Sequence, residues 1–416
     1  MAKRKSITMT LQQNKNGVFN VIVIVAALGY FVDIYDLLLF QIVRIQSLLS
    51  LGLTEDQADK SGQFIISIQM IGLLIGGIIW GIMADKKGRL SVLFGSIVLY
   101  SVANIFNGFV HTVNEYALVR FFAGVGLAGE LGAGITLVSE LVHKNKRGIS
   151  TSLVAGLGLT GAVVAYFISK EFDWRICYFI GGGLGFCLLI LRVFVFESGL
   201  FEQVKEKKVA RGNFFMFFTN KKRFKKYLCS ILIGLPTWFV IGVLIAFSNK
   251  FGKEFGLTEK IIPGKATMFA YAAISVADVL IGFISQWLKS RKKALYVFYA
   301  FTGIMLILFF TQHNTSTTTM YWIIAGLGFG TGFWAIFVTI AAEQFGTNLR
   351  ATATTTVPNM VRGSLPLILL LFNFLQGSFS FTTSGWITAI IVMAISVIAT
   401  YLSEETFGKD LDYVEI

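Results

Sequence analysis

A few ionisable side chains lie inside stretches that are otherwise apolar, and whatever chemistry this chain performs is expected to run through them. Gly29 to Phe40 reads Gly-Tyr-Phe-Val-Asp-Ile-Tyr-Asp-Leu-Leu-Leu-Phe and carries Asp33 and Asp36. Their i, i+3 spacing puts both carboxylates on one helix face, a stripe that Phe40 and Arg44 continue. Arg120 opens a second such stretch, and Glu130 sits near its middle. In a third, Val357-Pro358-Asn359-Met360-Val361-Arg362-Gly363, Asn359 and Arg362 share the same spacing. Carboxylates can take up and release protons, and a guanidinium is a planar fork suited to gripping a carboxylate or phosphate. The histidines, His111, His143 and His313, fall in loops, so a histidine proton relay is not expected. Cys177, Cys187 and Cys229 have no ligand spacing and read as small packing residues, without a disulfide or metal role.

The elements that hold these groups must be membrane helices. The chain has 416 residues, 55% hydrophobic and only 14% charged, with a mean hydropathy of +0.71. That much apolar surface does not fit inside one soluble core. Twelve apolar stretches are long enough to cross a bilayer, starting near Val18, Ser61, Leu90, Tyr116, Ile149, Arg175, Tyr227, Lys265, Ala294, Thr319, Ala351 and Thr382. Each crossing takes about 20 helical residues, and the lack of alternation favours helices over a barrel. An ionisable group inside such a span costs several kcal/mol unless it is paired or faces a watery cavity, so it marks a pathway.

The net charge of +13 would suggest nucleic acid in a soluble protein. Here most Lys and Arg fall in segments that are cytoplasmic when both termini are cytoplasmic, which predicts that orientation. A few fall in the outer segments, and Arg44, Arg120, Arg192 and Arg362 lie within or at the ends of spans. The start, with Lys3, Arg4 and Lys5, is too long in its apolar part and lacks a cleavage pattern for a signal peptide, so it reads as a retained first span. A basic segment, 197–226, divides a first six-helix bundle (1–196) from a second (227–416) and is expected to lie on anionic headgroups. The halves echo each other: Gly129, Glu140, Asn145 and Arg147 recur at one offset as Gly332, Glu343, Asn348 and Arg350.

Gly81-Ile-Met-Ala-Asp85-Lys-Lys-Gly88-Arg89, between the second and third spans, resembles the G-x-x-x-D-[RK]-x-G-R signature of the major facilitator superfamily. In the second half, Gln286 stands where the acid of that motif would be. Tyr35-Asp36, Arg120-Phe-Phe-Ala-Gly124-Val-Gly126, Glu140 with Arg147-Gly148, Trp174-Arg175, Arg192 to Glu197-Ser198 and the tail Glu405-Thr406-Phe-Gly408 are similar to the sugar-porter and metabolite:proton-symporter branches. The resemblance implies an all-α membrane protein of twelve helices in two pseudo-symmetric six-helix bundles. It also implies that Asp36 accepts the coupling proton with Arg120 as its partner; a permanent structural pair is the other reading. A nearby Arg favours the charged carboxylate and burial the neutral one, so a change of exposure can load and release a proton. Glu130 resembles the acid of a G-G-E element in metabolite symporters and is read as coupling or substrate-binding, with Asp33 part of the same site or a solvated group. Asp85, Arg89, Glu140, Arg147, Glu197, Glu343 and Arg350 are read as gate pairs.

Arg362 lies about 17 Å into its span at 1.5 Å per residue. It either forms an anion site with Asn359 or pairs internally with Asp278 or Asp33. Pro358 and Pro366 are expected to bend that span, and Trp238 and Trp334 to wall a cavity. The Gln and Asn clusters that bind hexoses in sugar porters have no counterpart here. The expectation is a proton-coupled symporter, not an enzyme and without a cofactor. Its substrate would be a charged or zwitterionic metabolite, most naturally an organic acid, up to a carboxylate siderophore in size. It is expected to work as a monomer in a bacterial inner membrane, with no nucleic-acid partner. A proton-coupled exporter and a non-transporting nutrient sensor are the alternatives, the sensor disfavoured by the short tail after Leu402.

Overall fold

A computed structural model describes residues 21–87, 89–130, 132, 134, 144–197, 214–346 and 348–409, with Asp85, Arg89, Arg147 and Glu197 described by backbone alone. Every regular element among them is a helix, because a chain in lipid must satisfy its N–H and C=O groups internally. The first half comprises α1 (Val21–Ser50), α2 (Glu55–Lys87), α3 (Arg89–Asn107), α4 (Val113–Leu127), α5 (Lys144–Leu159), α6 (Gly161–Glu171) and α7 (Trp174–Glu197). In the second, the short α8 (Met216–Thr219) precedes α9 (Lys221–Ile233) and α10 (Leu235–Phe239), which runs into a π-helical turn, Val240–Ile245. Then follow α11 (Ser248–Glu254), α12 (Pro263–Trp287), α13 (Arg291–Thr311), α14 (Thr317–Gly330), α15 (Trp334–Gln344), α16 (Arg350–Gly363), α17 (Leu365–Leu375) and α18 (Phe381–Leu402).

Among the described residues, ten helical segments are long and apolar enough to cross a membrane. The expected third span is the shorter Ser91–Asn107 of α3, and the fourth is described through α4, much of its second half lying outside the described residues. The fold is the twelve-helix arrangement in two pseudo-symmetric bundles. Phe283, Ile304, Leu370 and Phe374 are more than half exposed on the outside, a belt that lipid covers. Most of the basic segment 197–226 falls outside the described residues; α8 and the start of α9 are its described end.

The halves meet along α2 and α16, α5 and α12, and α1 with the π-helical turn. Close approach of α2 to α16 needs glycine: a Cβ on Gly77 would stand 2.7 Å from Cβ of Asn359, and one on Gly81 3.2 Å from Thr356. Interruptions fall in both halves but mostly in the second, the first half's α5 and α6 parting at Thr160. α1 and α2 run unbroken for 30 and 33 residues. Three second-half spans are interrupted, at Gly234 between α9 and α10, at 331–333 between α14 and α15, and at Ser364 between α16 and α17. Pro236 and Pro366 occupy first turns, where an absent N–H leaves no helix bond unmade. Pro358, expected to bend its span, sits inside α16 without interrupting it; the break falls six residues later.

Candidate functional site

Within the first bundle, Arg120 of α4 reaches Asp36 of α1. Its Nη1 donates to Asp36 Oδ1 at 2.8 Å and its Nη2 to the Asp36 carbonyl at 3.0 Å, both residues fully buried. Gln69 of α2 accepts from Arg120 Nε at 3.3 Å, and its amide donates to the Leu37 carbonyl, fixing it in place. Asn104 of α3 accepts at 3.4 Å, and the guanidinium carbon stands 5.6 Å from the ring centre of Tyr178 in α7. Five helices therefore hold one charge pair, and Asp36 Oδ2 has no protein partner. Gln69, Asn104 and Tyr178 escaped the sequence reading, because a lone amide or tyrosine in an apolar helix carries no spacing signal.

Glu130, just beyond α4, is paired with a residue the sequence reading had placed in a span without a role. Arg192 of α7 grips both carboxylate oxygens, with Nη1 to Oε2 at 3.0 Å and Nη2 against Oε1. The fork lies directly on Gly29 of α1, where any side chain would collide with Glu130 and Arg192. Glu130 is thus a member of a bidentate buried pair and does not line the cavity between the halves.

That cavity, about 20 Å³, is lined by Tyr30, Ile34 and Leu159 of the first half and by Thr237, Trp238, Ile241, Tyr271, Ile274, Trp334 and Arg362 of the second. Arg362 stands between two indoles, its guanidinium carbon 5.6 Å from the Trp334 ring centre and 6.0 Å from that of Trp238. Arg362 Nη1 donates to Asn359 Oδ1 at 3.3 Å, while the Asn359 amide donates to the Thr355 and Ala128 carbonyls. Asn359 is therefore committed to orienting Arg362 and tying α16 to the first half. Across the cavity Arg362 Nη2 lies 4.0 Å from Asp33 Oδ2, too far for a hydrogen bond. Both Asp33 oxygens, Arg362 Nε and the indole nitrogens of Trp238 and Trp334 are buried without a protein partner. Asp278, the other acid considered for Arg362, instead accepts from the Ala335 N–H at 2.7 Å, at the positive end of α15.

The halves touch on both sides of the cavity. Toward the predicted outer end, Arg44 donates to the Ala246 carbonyl at 2.9 Å and stacks on Phe247, and Asp59 takes both Arg44 and Lys250 at 3.3 Å. Toward the predicted inner end, Thr352 Oγ1 donates to the Gly81 carbonyl at 3.4 Å, and midway along α12 Ser275 donates to the Gly156 carbonyl of α5. Of the expected gate residues, Glu343 accepts from Arg291 at 3.0 Å and Thr406 at 2.7 Å, and Arg350 Nε donates to the Ala342 carbonyl. Glu140 and the side chains of Asp85, Arg89, Arg147 and Glu197 lie outside the described residues. Glu405 ties the tail down beside this cluster. Burial works against its carboxylate, but the Ser290 hydroxyl and the N–H groups of Phe407, Arg291 and Lys292 outweigh it and hold it below the usual range.

The profile of the Major Facilitator Superfamily matches residues 19–367. The chain is 26% identical to the niacin transporter NiaP of Acinetobacter baylyi, over 94% of this chain and 95% of that one. It is 29% identical to the benzoate transport protein of the same organism, over 47% of this chain and 43% of that one. Its fold is similar to that of the proton:xylose symporter XylE bound to 6-bromo-6-deoxy-D-glucose, with a TM-score of 0.73 and 17% identity over 94% of this chain and 97% of that one.

Proposed function

This chain is a member of the Major Facilitator Superfamily, a multi-pass membrane transporter, and on that premise we propose that it imports a planar carboxylate about one ring in size together with protons. The observation that carries the reading is Arg362 held between Trp238 and Trp334, with Arg362 Nε and both indole N–H groups unsatisfied at a cavity wall. A guanidinium binds a carboxylate through a two-pronged fork, and two indoles offer flat faces to a ring and donors to its edge. The space enclosed in this conformation is only about 20 Å³, far below the ~300–1,000 Å³ of small-ligand pockets, so a ligand enters only as the bundles part, and the one-ring size rests on the relatives. Niacin and benzoate, for which two relatives are named, are ring carboxylates of this kind.

For coupling, Asp36 is the proton acceptor and Arg120 the group that holds it charged when the proton leaves. Gln69 and Asn104 would keep Arg120 in place through both states. Glu130 belongs to coupling too, its charge matched by Arg192 when empty of a proton. Rocking of the two bundles alternately breaks the Arg44–Ala246 and Asp59–Lys250 contacts at one end and the Thr352–Gly81 contact at the other. We place the protein in a bacterial inner membrane with both termini cytoplasmic; an exporter would use the same groups with the gradients reversed.

The test is uptake of labelled nicotinate and benzoate into proteoliposomes under an imposed pH gradient. Accumulation above equilibrium, abolished by a protonophore, is expected. Absence of accumulation of either acid, with the gradient verified, refutes the reading.

A further inference from the structure

Behind the cavity wall, beside Arg362, lies one acid that no protein group satisfies. Asp33 is fully buried, both of its oxygens lack a hydrogen bond, and its sole ion-pair contact among the described residues is Arg362 at 4.0 Å. Arg362 in turn spends one nitrogen on Asn359 and leaves Nε without a partner. A guanidinium so placed faces Asp33 loosely from one side and the ligand space on the other. Two carboxylates cannot both occupy it cheaply, since like charges at that separation repel in a buried site.

We infer that Asp33 and the substrate carboxylate take turns on Arg362, so that each carboxylate bound in the cavity leaves one proton on Asp33. The empty state is the Asp33 carboxylate facing Arg362. In the loaded state the substrate carboxylate sits on Arg362, and Asp33 has taken a proton from water, forming an O–H bond and becoming neutral. Net charge in the cavity is the same in both. The groups facing Asp33 allow this. Beyond Arg362 of α16 they are Glu130 with Arg192 of α7, Asp36 one turn on along α1, and nearby Tyr30 with Tyr271 and Asp278 of α12. Asp36 and Glu130 have close partners in Arg120 and Arg192, which leaves Asp33 as the acid with nothing else to hold its charge. Because Asp33 lies on the first bundle and Arg362 on the second, the exchange also removes a contact that joins the halves. The inference rests on the proposed carboxylate substrate.

The test is benzoate affinity from pH 6 to 8.5, where free carboxylates near pKa ~4 are fully ionised, on wild type, Asp33→Asn and, as a second buried acid nearby, Asp278→Asn. Once Asp33 is charged in the empty protein, wild-type Kd should rise about tenfold per pH unit. Asp33→Asn should bind at least as tightly as wild type at pH 6 and show no slope, while Asp278→Asn keeps the slope. Calorimetry of wild type in two buffers of different ionisation enthalpy needs no variant and should report about one proton taken up per benzoate bound. A slope that survives in Asp33→Asn, a slope lost in Asp278→Asn instead, or zero protons in wild type overturns the exchange alone. Failure of wild type and Asp33→Asn to bind benzoate or nicotinate at any pH removes the substrate reading, and the exchange with it.

Discussion

Arg362 is the residue on which substrate charge turns, and its substitution separates binding from folding. Hydrogen bonds to a charged group contribute about 1.5–3 kcal/mol each. A two-pronged carboxylate contact therefore amounts to at least about 3 kcal/mol, or roughly 100-fold in affinity at 1.4 kcal/mol per decade. Arg362→Ala should lose that much. Arg362→Lys keeps the charge but not the fork and should lose about one bond's worth, roughly 10-fold. The fold is affected by a different route. Removing the guanidinium leaves Asp33 buried with no partner at all; unit charges 4 Å apart are worth about 4 kcal/mol at an effective dielectric of 20, and protonation of Asp33 limits the loss. A destabilisation on the order of 3 kcal/mol is expected at neutral pH, smaller in acid. Arg362→Ala combined with Asp33→Asn should recover the melting temperature but not the binding. Asp278→Asn should not rescue it, since Asp278 is spent on the Ala335 N–H. Melting and benzoate binding measured on the singles and doubles decide the matter. Wild-type melting together with wild-type affinity in Arg362→Ala would refute both roles.

Asp36→Asn should weaken uphill accumulation driven by a pH gradient, leaving only the proton carried on Asp33, yet retain exchange of internal for external substrate. Arg120 keeps its bonds to the Asp36 carbonyl, Gln69 and Asn104; wild-type accumulation by the variant would remove Asp36 from coupling. Arg192→Met should destabilise the protein by about 3–5 kcal/mol by stranding Glu130, and adding Glu130→Gln should restore most of it; an unaffected melting temperature in Arg192→Met would count against the buried pair. For the tail, the depressed folded pKa of Glu405 means its contribution is complete above the unfolded value of about 4.3 and is lost as pH falls through the folded one. Protease cleavage of the tail should thus be slow and constant above about pH 5 and accelerate below about pH 4. Glu405→Gln should remove that dependence, and a variant that keeps it shows that another group controls docking.

Much of the fold was legible because lipid imposes one rule on every span: unbroken apolar length reads directly as a helix. The meeting of Asp36 with Arg120 could be anticipated from helix direction and depth alone. Arg192 could not, because two residues 62 apart on helices of unknown rotation share no sequence relation that names them partners. The choice between Asp33 and Asp278 for Arg362 also stayed open in sequence, since depth admits both. Only the break at 331–333, which brings the first turn of α15 to Asp278, resolves it. The same holds for Pro358 and Pro366, where a proline announces a missing N–H but not whether neighbours keep the helix straight.

The interruptions in the second-half spans bear on which molecules fit. Trp238, Trp334 and Arg362 each sit within four residues of a break, at Gly234, 331–333 and Ser364. Tyr30 and Ile34, across from them, belong to the uninterrupted α1. The α1 strip of the cavity is thus a fixed template, whereas the second-half residues, and Leu159 beside the break at Thr160, lie on short segments that can shift by small backbone adjustments. Ring substituents directed at the segmented wall can be accommodated by local repacking, whereas those directed at α1 meet a surface that does not yield. The pattern of tolerated and rejected analogues should therefore be lopsided, permissive on one edge of the ring and strict on the other.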